Sequence, residues 1–388
     1  CFSQNKDKES KTREKEIDKL LSKMTIKEMI GQLIMIGADT EVNKKYCEKI
    51  LKDIDSNKVG GVCFFKGKSD NLPKLINKYN SVCKIPLLVS IDGEWSLSMR
   101  FTDLDPFPRA MALGALDSND YSLVYKKADI IGKQCRTLGI HINFAPAIDI
   151  NLNPANPVIN TRSFGQNKWK VSLLSEQYIK GLQDNDVMAV IKHFPGHGDT
   201  DLDSHLSLPT ISHSKDFIDT VDLIPFKYNI EKGVWGAMVA HLNVPALNEH
   251  YTYPASINPD IIQGYLVDEL GFEGLIFTDA MNMKGLTNDY PDGRAQVLAL
   301  KAGVDILLMP NNTDSAMNAI LSAIENGELS KELIKEKCRK VLEWKYKLGV
   351  MNPKHESKPL SKKQKEEIGK HCEVIAPKIL TLLENKDN

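Results

Sequence analysis

The feature that most constrains this chain is a rhythm of eight short apolar runs with helical patterns between them. The runs are Gln32–Gly37, Val59–Phe65, Pro86–Asp92, Ile142–Ile150, Met188–His193, Trp235–Leu242, Gly274–Asp279 and Asp305–Met309. Each is rich in Ile, Val, Leu, Phe and Met and lacks the in–out alternation of a half-solvated strand. Strands apolar on both sides are buried on both faces, as in a parallel sheet covered by helices. The segments Val42–Ile54, Ser122–Thr137, Val171–Gln183, Phe217–Ile230, Pro259–Leu270, Ala295–Ala302 and Ser315–Ile324 carry helical spacing. Strand and helix in eightfold alternation predict an α/β fold, a (β/α)8 barrel of the TIM type. A doubly wound open sheet is the alternative. It expects a Gly-rich first turn, and Gly37-Ala38-Asp39-Thr40 is none.

The barrel is expected over residues 25–350, behind a tether and first helix at 1–24 (Ile17, Leu20, Leu21, Met24). Its last helix, Ser330–Leu348, has Ser330 as N-cap and Gly349 as stop. Residues 351–388 form a helical extension or a linker. The formal net charge of −1 supplies no global field for nucleic acid or an anionic membrane. No apolar run approaches the roughly 20 residues that cross a bilayer. Seven scattered Cys contain no C-x-x-C pair; Cys47, Cys63, Cys83, Cys135 and Cys338 sit in apolar patterns and are expected as buried free thiols. Cys1 stands first, before a polar stretch, Ser3 to Lys11. That resembles a mature bacterial lipoprotein and predicts lipidation at Cys1, with a periplasmic or cell-surface location. A cytoplasmic protein with an arbitrary start is the alternative. A monomer is expected.

In such a barrel, chemistry gathers where strands end on the C-terminal face. The third run ends in Asp92, and the fourth ends near Asp149 and leads to Arg162. The fifth delivers Lys192 and His193, the sixth His241 and the seventh Asp279. The fourteen residues Lys192–His205 hold three His, three Asp and one Lys, with Pro195, Gly196 and Gly198 preventing a regular helix. Titratable groups crowded on one strand-end loop are what acid/base chemistry needs. Asp203, two residues before His205, could orient that imidazole and raise its pKa; a loop turn with a solvent His is the plain alternative. Asp279 reads as catalytic or as a helix N-cap. His193 and His197 have the spacing of a helical metal pair, but Pro195 and Gly196 remove the helix. Asp199-Thr200-Asp201-Leu202-Asp203 starts like a calcium loop and lacks its later Gly and Glu. No metal or other cofactor is expected. Asp92, Glu94, Trp95 and Arg100 suit a carbohydrate, with charged groups for hydroxyls and an aromatic for a ring face.

At these residues the chain resembles glycoside hydrolase family 3. Lys192–His205 is similar to the family's K-H-F-P-G-H-G-D-T-x-x-D-S-H signature. Asn160–Gly165, Ala240-His241, Pro254–Ser256 and Leu270–Asp279 extend the likeness over about residues 25–350. The resemblance is to the bacterial β-N-acetylglucosaminidases that act on peptidoglycan fragments. It implies a retaining mechanism, with Asp279 as nucleophile and His205, oriented by Asp203, as general acid/base. Asp92, Arg100, Arg162, Lys192 and His193 are implied to hold the terminal sugar. The third-strand loop departs from the family's D-x-E-G-G-R-V-x-R: Asp92 and Arg100 keep their spacing, while the double Gly and the middle Arg are replaced. The implied activity is an exo-β-N-acetylglucosaminidase without cofactor. The rivals are a β-glucosidase or β-xylosidase, a metal-dependent hydrolase and a non-catalytic sugar-binding lipoprotein.

Overall fold

The computed structural model describes residues 2–200, 207–291, 293–351 and 356–380. Eight strands fall inside the eight apolar runs: β1 Ile34–Ala38, β2 Gly61–Phe64, β3 Leu88–Ile91, β4 Ile142–Asn143, β5 Met188–Phe194, β6 Gly236–Val239, β7 Leu275–Thr278 and β8 Leu307–Leu308. They pair in parallel, in the order β7-β6-β5-β4-β3-β2-β1-β8. Ile306 donates to Ile276 O at 3.0 Å, Thr278 donates to Ile306 O at 3.2 Å and a parallel bridge joins Phe277 to Ile306, which brings the two ends together. The result is a near-closed (β/α)8 barrel. Phe144 and Phe277 meet edge to face inside it, their centroids 5.3 Å apart.

The strands are shorter than the apolar runs because the ladder lasts only while neighbours stay in register. β4 is the extreme case. After Asn143 the chain leaves the sheet, and residues 144–150 stay buried as the irregular wall that carries Asp149. Across β5, the pairing with β6 shifts between Ile191 and Phe194.

Most helices follow the sequence pattern, among them Lys44–Asn57, Ser122–Leu138, Lys168–Gln183 and Thr313–Glu325. Ser330 caps Lys331–Lys347 by accepting from Leu333 N at 3.0 Å, and Gly349 beyond it has φ 73°. Four differences matter. The Phe217–Ile230 pattern is not one helix: it divides into Lys215–Phe217, a wide turn Ile218–Asp222, and Ile224–Glu231. Pro225 has no N–H to donate to the preceding turn, so an uninterrupted α-helix cannot pass through it. Asp260–Glu269 winds in the wider i→i+5 pattern. The helix Leu72–Asn80 was not anticipated; its short apolar stripe follows Pro73 in the first turn. The polar stretch expected as a tether is helical from Phe2 to Leu21. Lys, Glu, Arg and Gln are good helix formers, and this segment has no Gly or Pro to interrupt them. Cys1 lies outside the described residues. No described helix is long and apolar enough to cross a membrane.

The C-terminal extension folds back onto the barrel as the helix Lys362–Ile379. Gln364 donates to Thr137 Oγ1 at 2.8 Å, the His371 Nε2–H donates to Leu123 O at 2.9 Å, and Lys365 pairs with Asp70 and Asp103 at 2.9 and 3.2 Å. Cys47, Cys63, Cys135 and Cys338 are buried thiols; Cys83 is half-buried.

Candidate active site

The side chains anticipated at the strand ends converge on one cavity of about 360 Å³ at the C-terminal face, lined by Asp92, Arg100, Arg162, Lys192, His193 and Asp279 among others. Asp203 and His205, expected as the acid/base pair, lie outside the described residues.

Lys192 anchors the cavity floor. It is 2% exposed and sits between two carboxylates, 2.6 Å from Asp92 Oδ1 and 2.7 Å from Glu94 Oε1. An ammonium at that depth is tolerated only because paired carboxylates replace its water. Arg100 binds Asp92 from the other side through its Nη2, and its Nε donates to Asp92 O at 3.0 Å. Arg162 grips Glu94 with Nη2 at 2.6 Å and Nε at 2.9 and 3.1 Å. Burial opposes ionisation of Glu94, but Arg162 and Lys192 outweigh it and hold the carboxyl far below the usual range. The altered third-strand loop therefore keeps its charge framework. Ser96 stands where the family pattern has a glycine, with φ 171°, an extended conformation open to any residue. Trp95 takes the other glycine position and lies under Arg109, 4.3 Å from its ring centroid.

Behind this layer is Asp149, a carboxylate with 1% exposure. Its Oδ1 accepts from the backbone N–H of His193 at 3.1 Å and of His197 at 2.8 Å; its Oδ2 lies 2.8 Å from His193 Nδ1. Arg162 Nη2 is 3.1 Å from His193 Nε2. Arginine can only donate, so Nε2 accepts and Nδ1 carries the proton towards Asp149. One buried carboxylate thus fixes the tautomer and the facing of His193. Burial pushes Asp149 up, yet the His193 ring and these hydrogen bonds bring it down to about 2.

Asp279 follows β7, where its N–H still donates to Val239 O at 2.9 Å. Its Oδ1 accepts from Ala280 N–H at 2.7 Å, and among the described residues no cation pairs with it. Burial raises this carboxyl, while the rings of His193 and His241, the Ala280 N–H and Lys192 outweigh burial and hold it below its ordinary value. Asp279 is therefore ionised at neutral pH, and among the described residues its second oxygen has no hydrogen-bond partner. It caps no regular helix: the next one begins at Lys284, with Met283 as its N-cap residue. His241 is fixed by Ser256 Oγ at 2.6 Å and donates from Nε2 to Ala280 O at 3.0 Å, which steadies the Asp279-Ala280 turn.

The loop after β5 is held at both limbs. His197 Nδ1 meets Thr200 Oγ1 at 2.7 Å, and Asn156 donates to His197 O at 2.8 Å. A Cβ on Gly198 would stand 1.7 Å from Ile150 O, so only glycine fits there. On the returning limb, Ile211 donates to Asn243 O at 2.9 Å. His213 lies 2.7 Å from both Asp222 and Asp199. His193 commits Nδ1 to Asp149 and Nε2 to Arg162, so it offers no free ring nitrogen to a metal; His197 Nδ1 meets Thr200 Oγ1. Among the described residues, no group of three or more His, Cys, Asp or Glu side chains could hold an ion.

All five anticipated sugar-holding residues meet in this cavity. Glu94 and Asp149 complete the framework; the sequence points to Glu94 for carbohydrate but to neither as the partner of Arg162 or His193. Glu94 was legible from Asp92-Gly93-Glu94; Asp149 was visible only as a polar end to the fourth run. A cleft of paired charges with a carboxylate, Asp279, that no cation pairs among the described residues, at the C-terminal face of a barrel, has the position and the groups of an acid/base or nucleophilic active site.

Residues 25–344 match the glycosyl hydrolase family 3 N terminal domain, and the chain belongs to that family. Beta-hexosaminidase A of Pseudoalteromonas piscicida is 33% identical over 320 residues, covering 75% of this chain and 54% of that protein. A protein of Cellulomonas fimi named beta-N-acetylglucosaminidase/beta-glucosidase is 29% identical, covering 85% of this chain and 59% of its own length. The chain thus spans a little over half the length of these relatives. A solved family 3 beta-N-acetylglucosaminidase from Paenibacillus sp. str. FPU-7 superposes with a TM-score of 0.82 at 33% identity, over 94% of this chain and 70% of that one.

Proposed function

We propose that this barrel hydrolyses β-linked terminal sugars by a retaining mechanism, and that the sugar is N-acetylglucosamine released from peptidoglycan-derived fragments. The observation that carries the reading is Asp279, ionised and with one oxygen unpartnered among the described residues, at the strand end in the cavity it shares with Asp92, Lys192 and Arg100. The cluster holds the hydroxyls of a terminal ring. Asp279 attacks the anomeric carbon as its bond to the leaving oxygen breaks, and His205 gives that oxygen a proton. In the second half, His205 takes a proton from water, the water oxygen bonds to the anomeric carbon and the Asp279 ester opens. Asp203 orients His205. The hexosaminidase and beta-N-acetylglucosaminidase names of its relatives support the choice of sugar.

The test is a panel of nitrophenyl β-glycosides with and without EDTA, followed by peptide mapping after a fluorinated-sugar trap. We expect cleavage of the N-acetylglucosaminide, indifference to EDTA and a label on Asp279. His205→Ala should slow glycosides with poor leaving groups more than activated aryl ones. A label elsewhere overturns the mechanism. Cleavage of the glucoside alone overturns the sugar and leaves the β-glucosidase reading, which the double name of the Cellulomonas relative favours as second choice.

A further inference from the structure

His213 sits where three segments meet. It lies on the limb that returns from the loop after β5, past His205 in sequence. Its Nε2 is 2.7 Å from Asp199 Oδ2 on the outgoing limb, before His205. Its Nδ1 is 2.7 Å from Asp222 Oδ2, at the end of the wide turn Ile218–Asp222. Phe217 packs on the imidazole with ring centroids 4.2 Å apart. The His213 side chain is 17% exposed, so it belongs to the packed base of the loop. Among the described residues, neither aspartate has another ionic partner.

The two limbs are otherwise fastened to different neighbours. On the outgoing limb, Gly198 O accepts from Asn153 N at 3.3 Å and Thr200 O from Asn153 Nδ2 at 3.4 Å, both from the segment after β4. On the returning limb, Asn243 after β6 donates from its N to Pro209 O at 2.9 Å and from Nδ2 to Thr210 Oγ1 at 3.2 Å. Strands β4 and β6 flank β5 on opposite sides. The Asp199–His213 contact therefore ties together two limbs that are anchored to opposite walls. Asp222 adds a third anchor. A Cβ on Gly196 would stand 3.3 Å from Asp222 Cβ, so the wide turn packs against the root of the outgoing limb while its carboxylate holds the returning one. Turns of this i→i+5 kind are frequent at functional sites. Here Leu223 N donates to Ile218 O at 2.9 Å.

Ionised carboxylates only accept hydrogen bonds, and a neutral imidazole has a single N–H. Two carboxylate contacts at 2.7 Å therefore need one further proton, on the ring or on an aspartate. Burial opposes charge on His213, but the hydrogen bonds and charges of Asp222 and Asp199 outweigh it and raise the ring above its ordinary value. Burial raises Asp222 as well, with Asp199 and Asp149 as the further carboxylates near it. None of the three residues lines the sugar cavity. What they share is a place around the two limbs.

We propose that His213 is a positioning residue for the acid/base step: tied to Asp199 and Asp222, it fixes the separation of the two limbs between which His205 is carried, and so sets where that imidazole stands relative to the leaving oxygen. The role rests on the assignment of His205 above. His213 adds no group to the sugar cavity and acts only through His205.

The experiment measures kcat/KM of the full chain, which reports formation of the glycosyl–Asp279 ester, on two substrates. One is the β-1,4-linked N-acetylglucosamine disaccharide, whose leaving sugar needs a proton. The other is the dinitrophenyl N-acetylglucosaminide, whose leaving group does not. His213→Ala should lose about 10- to 100-fold on the disaccharide, part of the roughly 10²–10⁴ that a general acid contributes, and under about threefold on the aryl glycoside. Added to His205→Ala it should cost nothing more, because a residue acting through another has no effect once the other is gone. Asp199→Asn preserves shape and should show the same selective loss at smaller size; it carries the test if His213→Ala does not fold. NMR titration should place the His213 ring above an ordinary histidine in wild type and lower in Asp199→Asn. Equal losses on both substrates, a further loss in the His205→Ala background, unchanged kinetics, or a ring that titrates as an ordinary histidine in both proteins overturns the role. Failure of the underlying assignment reads differently: His205→Ala itself then costs both substrates equally or neither, and the role of His213 falls with it. If only glucosides are cleaved, the same measurements are made on the β-1,4-linked glucose disaccharide and the dinitrophenyl glucoside.

Discussion

Asp149→Asn is the sharpest test of how this site is held. The substitution preserves shape and removes a charge 1% exposed to solvent. An asparagine oxygen can still accept from the His193 and His197 backbone N–H groups. Its NH2 then faces His193 Nδ1 at the present 2.8 Å. Two donors cannot share that contact, so His193 must move its proton to Nε2, and there it meets Arg162 Nη2, which can only donate, at 3.1 Å. Either tautomer leaves one donor–donor conflict. A lost charge-assisted bond and a stranded buried donor together cost about 3 kcal/mol. If the conflict falls on the transition state, kcat/KM drops roughly 150-fold. A second signature is acid stability. Asp149 is depressed from 3.8 to about 2, so its stabilisation is present above the unfolded pKa and is lost as pH falls through the folded one. Urea unfolding of wild type should therefore lose about 2 kcal/mol between pH 4 and 2 that the Asn variant does not lose. Steady-state kinetics on the aryl glycoside, ¹⁵N chemical shifts of His193 and the two urea series make the assay. A variant with wild-type kcat/KM and an unchanged His193 tautomer would refute the claim that Asp149 sets the imidazole.

Two further outcomes follow from single contacts. Gly198→Ala should lower kcat/KM by roughly 100-fold or more, because its Cβ would overlap the Ile150 carbonyl and displace the loop leading to His205 by about an ångström; Gly264→Ala, where a Cβ meets nothing within 4 Å, should leave kinetics unchanged. Lys127 and Lys345 are both pushed down to about 7 by burial. Lys345 is satisfied by Gln32 at 2.6 Å and Pro86 O at 2.8 Å, Lys127 by Pro108 O at 3.0 Å. Between pH 7 and 10 the unfolded chain binds the extra protons, so stability rises with pH, by about 1.4 kcal/mol per unit for each lysine. Lys345→Met should remove one such slope in urea series at pH 7 and 9; coincident slopes would mean that Lys345 is charged in the folded barrel.

What the sequence made legible divides along a physical line. The eight strands were readable because a buried strand must be apolar at every position, whatever it pairs with. Asp92, Lys192, His193 and Asp279 were readable because a charge at the end of such a run has few uses other than chemistry, whereas Arg100 and Arg162 lie beyond the runs and were placed together with them only through the family resemblance. The wide turn at Ile218–Asp222 is announced by Pro225, a signal that apolar spacing alone does not carry. Asp149 is different in kind. Nothing local distinguishes it from a turn-forming aspartate; its role exists only because residues 144–150 stay buried after β4 ends and so bring it to the backbone of His193, 44 positions later. The same holds for Glu94, whose value lies in Arg162, 68 positions on. Charged groups at strand ends are placed by their own strand and can be read from it. Groups that orient them are defined by a contact across the barrel, and only the fold can supply that. Strand-end motifs therefore reveal residues that line the cavity and miss those that orient them, which is why Asp149 is the better place to test this site than any of the residues its sequence advertises.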